Sequence, residues 1–255
     1  MEDWIPHGWS TTTLAYVAGV FVLAGIVKGI SGAGLPTIAL ALMALAIDLK
    51  QAIAVLIVPT LVTNIWQAFV GGHFVAISRR LAPMLLAAVL GIWAGVSILV
   101  VGDAKLLSAI LGVLIVFYSI YSLATPQIPA PSPRLELWLS PPIGVATGVL
   151  FGFTGSFLVP GVLYMQALGW KRDQFVQAMG IAFSFATLVL WLMLARTGLF
   201  TLEVGAVSIA ICAPALLGVA AGQMLRRRLS EAVFRTVFFG ALLLIALYIV
   251  LRAFF

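Results

Sequence analysis

The residues best suited to chemistry lie in the stretch KGISGAGLPTIAL, which runs from Lys28 to Leu40 between two apolar segments. Glycine permits a sharp bend and leaves backbone N–H groups bare, and proline is typical of the first turn of a helix. The free N–H groups of a helix start, together with the helix dipole, favour an anion. The sequence therefore predicts an anion-binding site at this bend. Its residues are Lys28, Ser31, Gly32, Ala33 and Gly34.

A second stretch, GFTGSFLVP from Gly152 to Pro160, repeats this pattern in the other half of the chain. Two helix starts that face each other would combine their N–H groups into one cradle for a small anion, and hydroxyl groups would add donors. The alternative is that these glycines only let helices pack closely, as small residues do in membranes. The residues predicted for this half of the site are Thr154, Gly155, Ser156 and Phe157.

Lys28 bears on the choice between these two interpretations. An ammonium group buried at a bend needs an anionic partner, and no carboxylate lies near Lys28 in the sequence, so a substrate anion could fill that role. The alternative is that Lys28 extends to the lipid headgroups. Phe151 occupies the matching position in the second stretch, so the two halves need not both carry a charge.

Two polar side chains lie in the apolar segments that follow the bends. Asn64 falls in the inner half of the first of these segments, and Ser184 lies near the middle of the second. We expect both side chains to donate hydrogen bonds to the ligand. For the threonines around them, hydrogen bonding between helices is an equally good interpretation.

The composition places these residues in a membrane protein. The chain has 255 residues, of which 63% are hydrophobic and 9% charged, and its mean hydropathy is +1.20. A soluble domain carries about 25% charged residues, so this chain cannot cover itself with polar surface. The net charge of +6 then reflects membrane topology, and no basic patch with interleaved aromatic residues indicates a nucleic-acid partner.

The hydropathy pattern predicts an all-α polytopic protein with about eight to ten transmembrane segments. The second and seventh segments have about 13 residues, or roughly 20 Å of helix, whereas the hydrocarbon core is roughly 30 Å thick. We therefore expect segments 1–2 and 6–7 to form broken or re-entrant hairpins whose bends lie inside the protein near the bilayer midplane. The ten segments are 11–27, 35–47, 50–71, 81–101, 104–123, 138–153, 157–169, 174–196, 201–225 and 231–252.

The two halves of the chain resemble each other. Matching glycines and prolines recur 123 to 127 residues apart and in the same order: Gly29 and Gly152, Pro36 and Pro160, Gly72 and Gly198, Gly91 and Gly218. Because each half has five segments, the second half would enter the membrane from the opposite side, as an inverted repeat. The predicted parts are a first repeat over 1–123, a proline-rich cytoplasmic linker over 124–137 and a second repeat over 138–255.

The cationic residues divide unequally between the two sides of the membrane. The positive-inside rule places the richer side in the cytoplasm and both termini in the periplasm. The richer side has Lys28, Arg79, Arg80, Arg134, Lys171, Arg172, Arg226, Arg227, Arg228 and Arg235. The poorer side has Lys50, Lys105, Arg196 and Arg252.

Several other functions are disfavoured. The single cysteine, Cys212, and the two histidines have no metal-ligand spacing and no evident nucleophile–base pairing, so we predict neither a cofactor nor an enzyme. The phosphate-binding pattern G-x-x-x-x-G-K-[ST] is absent, so transport would draw on a gradient. A passive anion channel of the same architecture remains the alternative to a secondary transporter.

The glycine-rich bend followed by proline, present in both halves, resembles the sulfite exporter TauE/SafE family of membrane transporters, also called TSUP. The match is good at Gly34 and Pro36, whereas the usual run of three glycines reads Gly155-Ser156-Phe157 in the second copy. The resemblance implies transport of sulfite or organosulfonates such as sulfoacetate across a bacterial inner membrane. It leaves open whether the protein forms a homodimer.

Overall fold

The computed structural model describes residues 9–124, 129–226 and 230–254, and every regular element in these ranges is a helix. This confirms the prediction of an all-α protein. Part of the predicted linker and the cations Arg227 and Arg228 lie outside the described residues. The helices are α1 Thr11–Ser31, α2 Leu35–Met43, α3 Leu49–Phe69, α4 Phe74–Val101, α5 Ala104–Ala124, α6 Pro133–Thr154, α7 Leu163–Ala167, α8 Arg172–Thr197, α9 Leu202–Ala210, α10 Cys212–Arg226 and α11 Glu231–Phe254.

Within the described ranges, eight helical spans are long and apolar enough to cross a membrane. Helices α9 and α10 together make one of these spans, over Leu202–Leu225. The two elements that are too short to cross are α2 and the π-helical turn Leu158–Val162 with α7. They coincide with the second and seventh predicted segments, so the hydropathy pattern located both correctly.

Helix α1 ends later than predicted. Gly32 adopts a left-handed conformation with φ of 82°, and its N–H bonds to the carbonyl of Lys28, which stops the helix. Gly34, with φ of 97°, precedes α2, whose start has no side-chain cap. Lys28 therefore lies in the last turn of a 21-residue helix, about 30 Å long, rather than in the bend itself.

Helix α6 begins at Pro133, inside the predicted linker. Ser132 caps the helix by accepting a hydrogen bond from the N–H of Leu135, and Pro133 and Glu136 are favourable in a first turn. The helix ends at Gly155, whose φ of 70° ends it in the same way as Gly32 ends α1. The π-helical turn and α7 complete the second hairpin.

Close glycine contacts join two helix pairs. On α1 and α10, a Cβ added to Gly29 would lie 2.9 Å from the Cα of Gly222. On α4 and α6, a Cβ added to Gly95 would lie 2.9 Å from the Cα of Gly152. Small residues at these positions let the backbones touch. The van der Waals contacts that result stabilise the helix pairs, because helices in lipid have no hydrophobic driving force for association.

Helices α3 and α8 form an antiparallel pair inside the bundle. The buried amide of Gln177 on α8 donates to the carbonyl of Ala68 and accepts from the N–H of His73, so the start of α8 holds the end of α3. We call this end of the bundle the Lys28 end, because α1 also ends there. Pro59 lies inside α3 and leaves the carbonyl of Val55 without its helical donor, and the hydroxyl of Ser208 on α9 donates to that carbonyl instead.

Candidate functional site

The ammonium group of Lys28 is buried and has a neutral partner. The side chain is 5% exposed, and its Nζ donates a hydrogen bond to Oδ1 of Asn64 at 2.5 Å. The Nδ2 of Asn64 in turn donates to the carbonyl of Thr60 at 2.9 Å, so one of the two N–H donors of this amide is already used. Asn64 therefore orients Lys28 through its oxygen and keeps a second N–H. That Asn64 donates directly to the ligand stays a prediction.

This arrangement leaves the charge of Lys28 uncompensated by protein. A buried ammonium group has three N–H donors and is costly unless an anion or several acceptors surround it. Arg80 and Glu136 form an ion pair, whereas Lys28 forms none with a described residue. The amide oxygen of Asn64 supplies one acceptor but no negative charge. The site is therefore suited to an anion.

Lys28 lies at the wall of a large cleft, which we call the Lys28 cleft. It has a volume of about 990 Å³ and lies at the Lys28 end of the bundle, between α1, α3, α8 and α10. Its polar lining includes a second cation and one carboxylate as well as amides. The polar residues that line it are Lys28, Thr63, Gln67, His73, Lys171, Asp173, Gln174 and Gln223.

The first bend separates this cleft from a second space, which we call the aromatic cavity. Gly32 and Lys28 face the Lys28 cleft, whereas Ser31, Ala33 and Gly34 line the aromatic cavity. The aromatic cavity has a volume of about 390 Å³ and is also lined by α5, α8, α11 and the second hairpin. The predicted residues of the first bend are thus divided between two spaces.

The second bend is tightly packed. The hydroxyl of Thr154 donates to the carbonyl of Leu150, and the N–H of Ser156 donates to Thr154, so local contacts use these groups. The Oγ of Ser156 is buried without a partner. Phe157 is 1% exposed, and its ring lies 5.6 Å from that of Phe151. This bend has no room for a ligand in this conformation.

In the described part of the chain, no open space for the predicted cradle lies between the two bends. Pro36 and Gly155 line a common cavity of only about 10 Å³, which has room for about one water molecule and not for an oxyanion. The side chains of Leu40 and Ile53 fill the space beside Gly155. The bends also lie at different depths, because Gly32 sits beside Val176 near the start of α8 and Gly155 sits beside Ile53 near the start of α3.

Ser184 does not reach either of the larger spaces. Its Oγ is buried and has no hydrogen-bond partner among the described residues, and it lines none of the cavities identified there. Conversely, the glutamines of the Lys28 cleft and the rings of α11 were not predicted, because their segments look like ordinary lipid-facing helices. The polar residues Gln174 and Gln223 at helix ends were the available hint.

The eight spans and the polar cleft define a multi-pass membrane protein. The family model for sulfite exporter TauE/SafE matches residues 17–249, nearly the whole chain, and the chain belongs to this family of membrane transporters. No match was found among curated proteins or among solved structures. Family membership implies transport of sulfur-containing anions, which agrees with the resemblance noted in the sequence.

Proposed function

We propose that the chain is a secondary transporter of sulfite or of a small organosulfonate such as sulfoacetate, and that Lys28 binds the negative charge of the substrate. The observation that carries this proposal is the buried ammonium of Lys28, which has Asn64 as its neutral partner at the wall of an open cleft. A bound oxyanion would supply both the missing charge and the missing acceptors.

The proposed architecture is a pair of inverted repeats, 1–123 and 138–255, joined by the linker 124–137. The helix contacts support this division. In the proposed repeats, α6 corresponds to α1, and α4 corresponds to the span that contains α10. Helix α1 packs on α10, and α6 packs on α4 in the same way. Gly29 meets Gly222 in the first pair, and Gly152, 123 residues after Gly29, meets Gly95 in the second.

The bends support the same symmetry. A Cβ added to Gly32 would lie 3.3 Å from the side chain of Val176, and one added to Gly155 would lie 3.1 Å from that of Ile53. Gly32 and Gly155 are 123 residues apart in the sequence, and so are Ile53 and Val176. A twofold axis in the membrane plane would place the bends at opposite depths, as inverted repeats require.

The difference between the two bends favours a carrier over a channel. The first bend borders the Lys28 cleft, whereas the second is filled by Phe157, Leu40 and Ile53. A channel would need a continuous path, but the cavity between the bends holds about 10 Å³. We propose that this conformation is open on one side and that opening the second bend while closing the first moves the substrate.

The proposed setting is a bacterial inner membrane with both termini in the periplasm. The cation distribution then makes the Lys28 end cytoplasmic, so the conformation described is open to the cytoplasm. Among the described residues, the buried polar side chains include no aspartate or glutamate. We therefore propose that energy coupling, if there is any, does not use a buried acid.

The proposal is tested by sulfite and sulfoacetate uptake into proteoliposomes with Lys28→Gln, Lys28→Arg and the matched control Lys50→Gln. Lys50 lies at the opposite end and bonds to the carbonyl of Val100. Lys28→Gln should reduce uptake by at least about tenfold, since it removes the charge that a bound anion would pair with. The variant Lys28→Arg should retain part of the uptake. Equal losses in Lys28→Gln and Lys50→Gln would refute the proposal.

A further inference from the structure

A polar cavity lies at the end of the bundle opposite to the Lys28 end, and the proposed function does not use it. It has a volume of about 250 Å³ and is formed by the turn after α2, the starts of α3 and α5 and the last turns of α11. We call it the Lys105 cavity. Two of its four polar side chains are cations, one from α5 and one from α11. The four are Asp48, Lys105, Ser108 and Arg252.

Both cations of the cavity have unused hydrogen-bond donors. The side chain of Lys105 is exposed and forms no hydrogen bond or ion pair with a described residue. The Nη1 of Arg252 donates to the carbonyl of Leu45 at 2.7 Å, which holds the guanidinium group beside the turn after α2. A guanidinium group has five N–H donors and binds phosphate oxygens well, because several of these donors lie in one plane. An anion in the cavity would therefore meet free donors on both side chains.

The carboxylates near the cavity do not neutralise these cations. Asp48 lines the cavity, and its Oδ1 caps α3 by accepting from the N–H of Lys50 at 2.8 Å. Asp103 accepts from the N–H of Leu106 at 2.9 Å at the start of α5 in the same way. In the described ranges, neither carboxylate forms an ion pair with a cation of the cavity. The lining has two cations and one carboxylate, so its net charge is positive.

The start of α5 adds further donors at the same place. The N–H groups of Ala104 and Lys105 donate to no described acceptor. Ser108 lies one turn further along α5 and lines the cavity, and its hydroxyl group has no hydrogen-bond partner among the residues that the structure describes. Free N–H groups at a helix start favour an anion. Together with the two side-chain cations, these groups suit the oxygens of a phosphate or a similar oxyanion.

The surface beside the cavity is apolar. Helices α5 and α11 pack against each other, and both expose large apolar side chains close to the cavity. Leu106 follows Lys105 on α5, and Tyr248 and Leu251 precede Arg252 on α11. In a bilayer these side chains would contact acyl chains. The cavity is smaller than the roughly 300–1,000 Å³ typical of small-molecule sites, which suits a headgroup better than a larger ligand.

We propose that the Lys105 cavity binds the phosphate group of an anionic phospholipid, such as phosphatidylglycerol. The phosphate lies between Lys105, Arg252 and the start of α5, and the acyl chains lie along the exposed apolar side chains of α5 and α11. Basic pockets between transmembrane helices bind anionic headgroups in this way. A free oxyanion would use the donors but not the apolar surface. The inference does not depend on the proposed function, because lipid binding is measured without transport.

The test is native mass spectrometry of the purified full-length protein in detergent, titrated with phosphatidylglycerol or with phosphatidylcholine of the same acyl chains. The first phosphatidylglycerol should bind at least about fivefold more tightly than the first phosphatidylcholine, because only the former has a net negative charge. Two free anions, glycerol phosphate and sulfite, distinguish a lipid from a soluble ligand. Neither should displace phosphatidylglycerol when added in molar excess, since neither has acyl chains to cover the apolar surface.

Four variants locate the bound lipid. Lys105→Gln and Arg252→Gln should each weaken phosphatidylglycerol at least about threefold and leave phosphatidylcholine unchanged, whereas Lys105→Arg should keep the affinity. The control is Arg196→Gln, which removes an exposed cation at the same end of the bundle that does not line the cavity, and it should have no effect.

Three results would overturn the inference. Equal affinity for the two lipids would show that the cavity does not select negative charge. An equal loss in Arg196→Gln and Lys105→Gln would indicate diffuse attraction by this end of the bundle instead of a site. Displacement of phosphatidylglycerol by glycerol phosphate or sulfite would assign the cavity to a free anion.

Discussion

Lys28 and Asn64 come from different helices and meet inside the bundle, where the ammonium donates to the amide oxygen at 2.5 Å. The partner is neutral, so the pair fixes the position of a cation without neutralising it. An aspartate at the same place would have formed a resident ion pair. Under the proposed function, the neutral amide keeps the charge of Lys28 available to an anion that enters the Lys28 cleft.

The first prediction concerns Asn64→Asp. The new carboxylate would pair with Lys28 and compete with the substrate, so sulfite affinity should fall by at least about tenfold while thermal stability is retained. Titration calorimetry and a melting curve measure the two effects. Gln51→Glu is the control, because it adds a charge on the same helix yet keeps an acceptor for Trp9. Unchanged sulfite affinity in Asn64→Asp would contradict the role given to Lys28.

The second prediction concerns the glycine contacts between helices. Gly95→Ala would place a Cβ 2.9 Å from the Cα of Gly152, so α4 and α6 must separate. We expect the free energy of unfolding to fall by about 1–3 kcal/mol. Gly19→Ala on α1 is the control, because nothing lies within 4 Å of the added Cβ, and it should be neutral or stabilising. Thermal unfolding in detergent compares them, and equal melting temperatures would argue against close packing.

The third prediction concerns the backbone carbonyl that Pro59 leaves without a helical donor. Ser208→Ala removes the donor to the carbonyl of Val55 and leaves this buried group unpaired, which should destabilise the protein by about 1–3 kcal/mol. Pro59→Ala restores a backbone N–H at that position, so the double variant should recover most of the loss. Ser97→Ala, which removes an exposed bond within α4, should have little effect. A double variant no more stable than Ser208→Ala would refute the compensation.

The fourth prediction concerns Arg80, which links three elements at the Lys28 end. It donates to both oxygens of Glu136 at 2.7 Å and to the carbonyl of Leu168 at 3.1 Å, and it lies 5.2 Å from the ring of Trp170. Arg80→Lys cannot form the two-point contact and should lower stability by about 1 kcal/mol at low salt, and by less at high salt. Arg79→Lys should be neutral. Equal melting temperatures of the two variants at low salt would contradict this role.

The fifth prediction concerns topology. Reporter fusions after Thr125 should be active as cytoplasmic reporters, and fusions after Asp103 should be active as periplasmic ones. The basis is the excess of Lys and Arg at the Lys28 end. Alkaline phosphatase and green fluorescent protein report the two sides in living cells. Phosphatase activity after Thr125 would overturn both the orientation and the inverted repeats.

Much of the fold followed from local sequence features. Apolar length predicted the helices and the two short elements, and glycine with proline predicted where both hairpins bend. The family match agrees with the resemblance that these bends suggested. The end of α1 was placed four residues too early, because Lys28 and the glycines look polar in a hydropathy profile although the helix continues through Lys28.

The sequence by itself determined that the chain is helical, lies in a membrane and carries an unusual lysine beside a glycine bend, because these properties depend on neighbouring residues. Only the tertiary structure decided which space that lysine meets. Phe157 and Ile53 fill the space at the second bend. Asn64 accepts a hydrogen bond from the ammonium group of Lys28, and the rings of α11 line a separate cavity. These outcomes depend on contacts between residues far apart in the chain, and helix periodicity does not specify them.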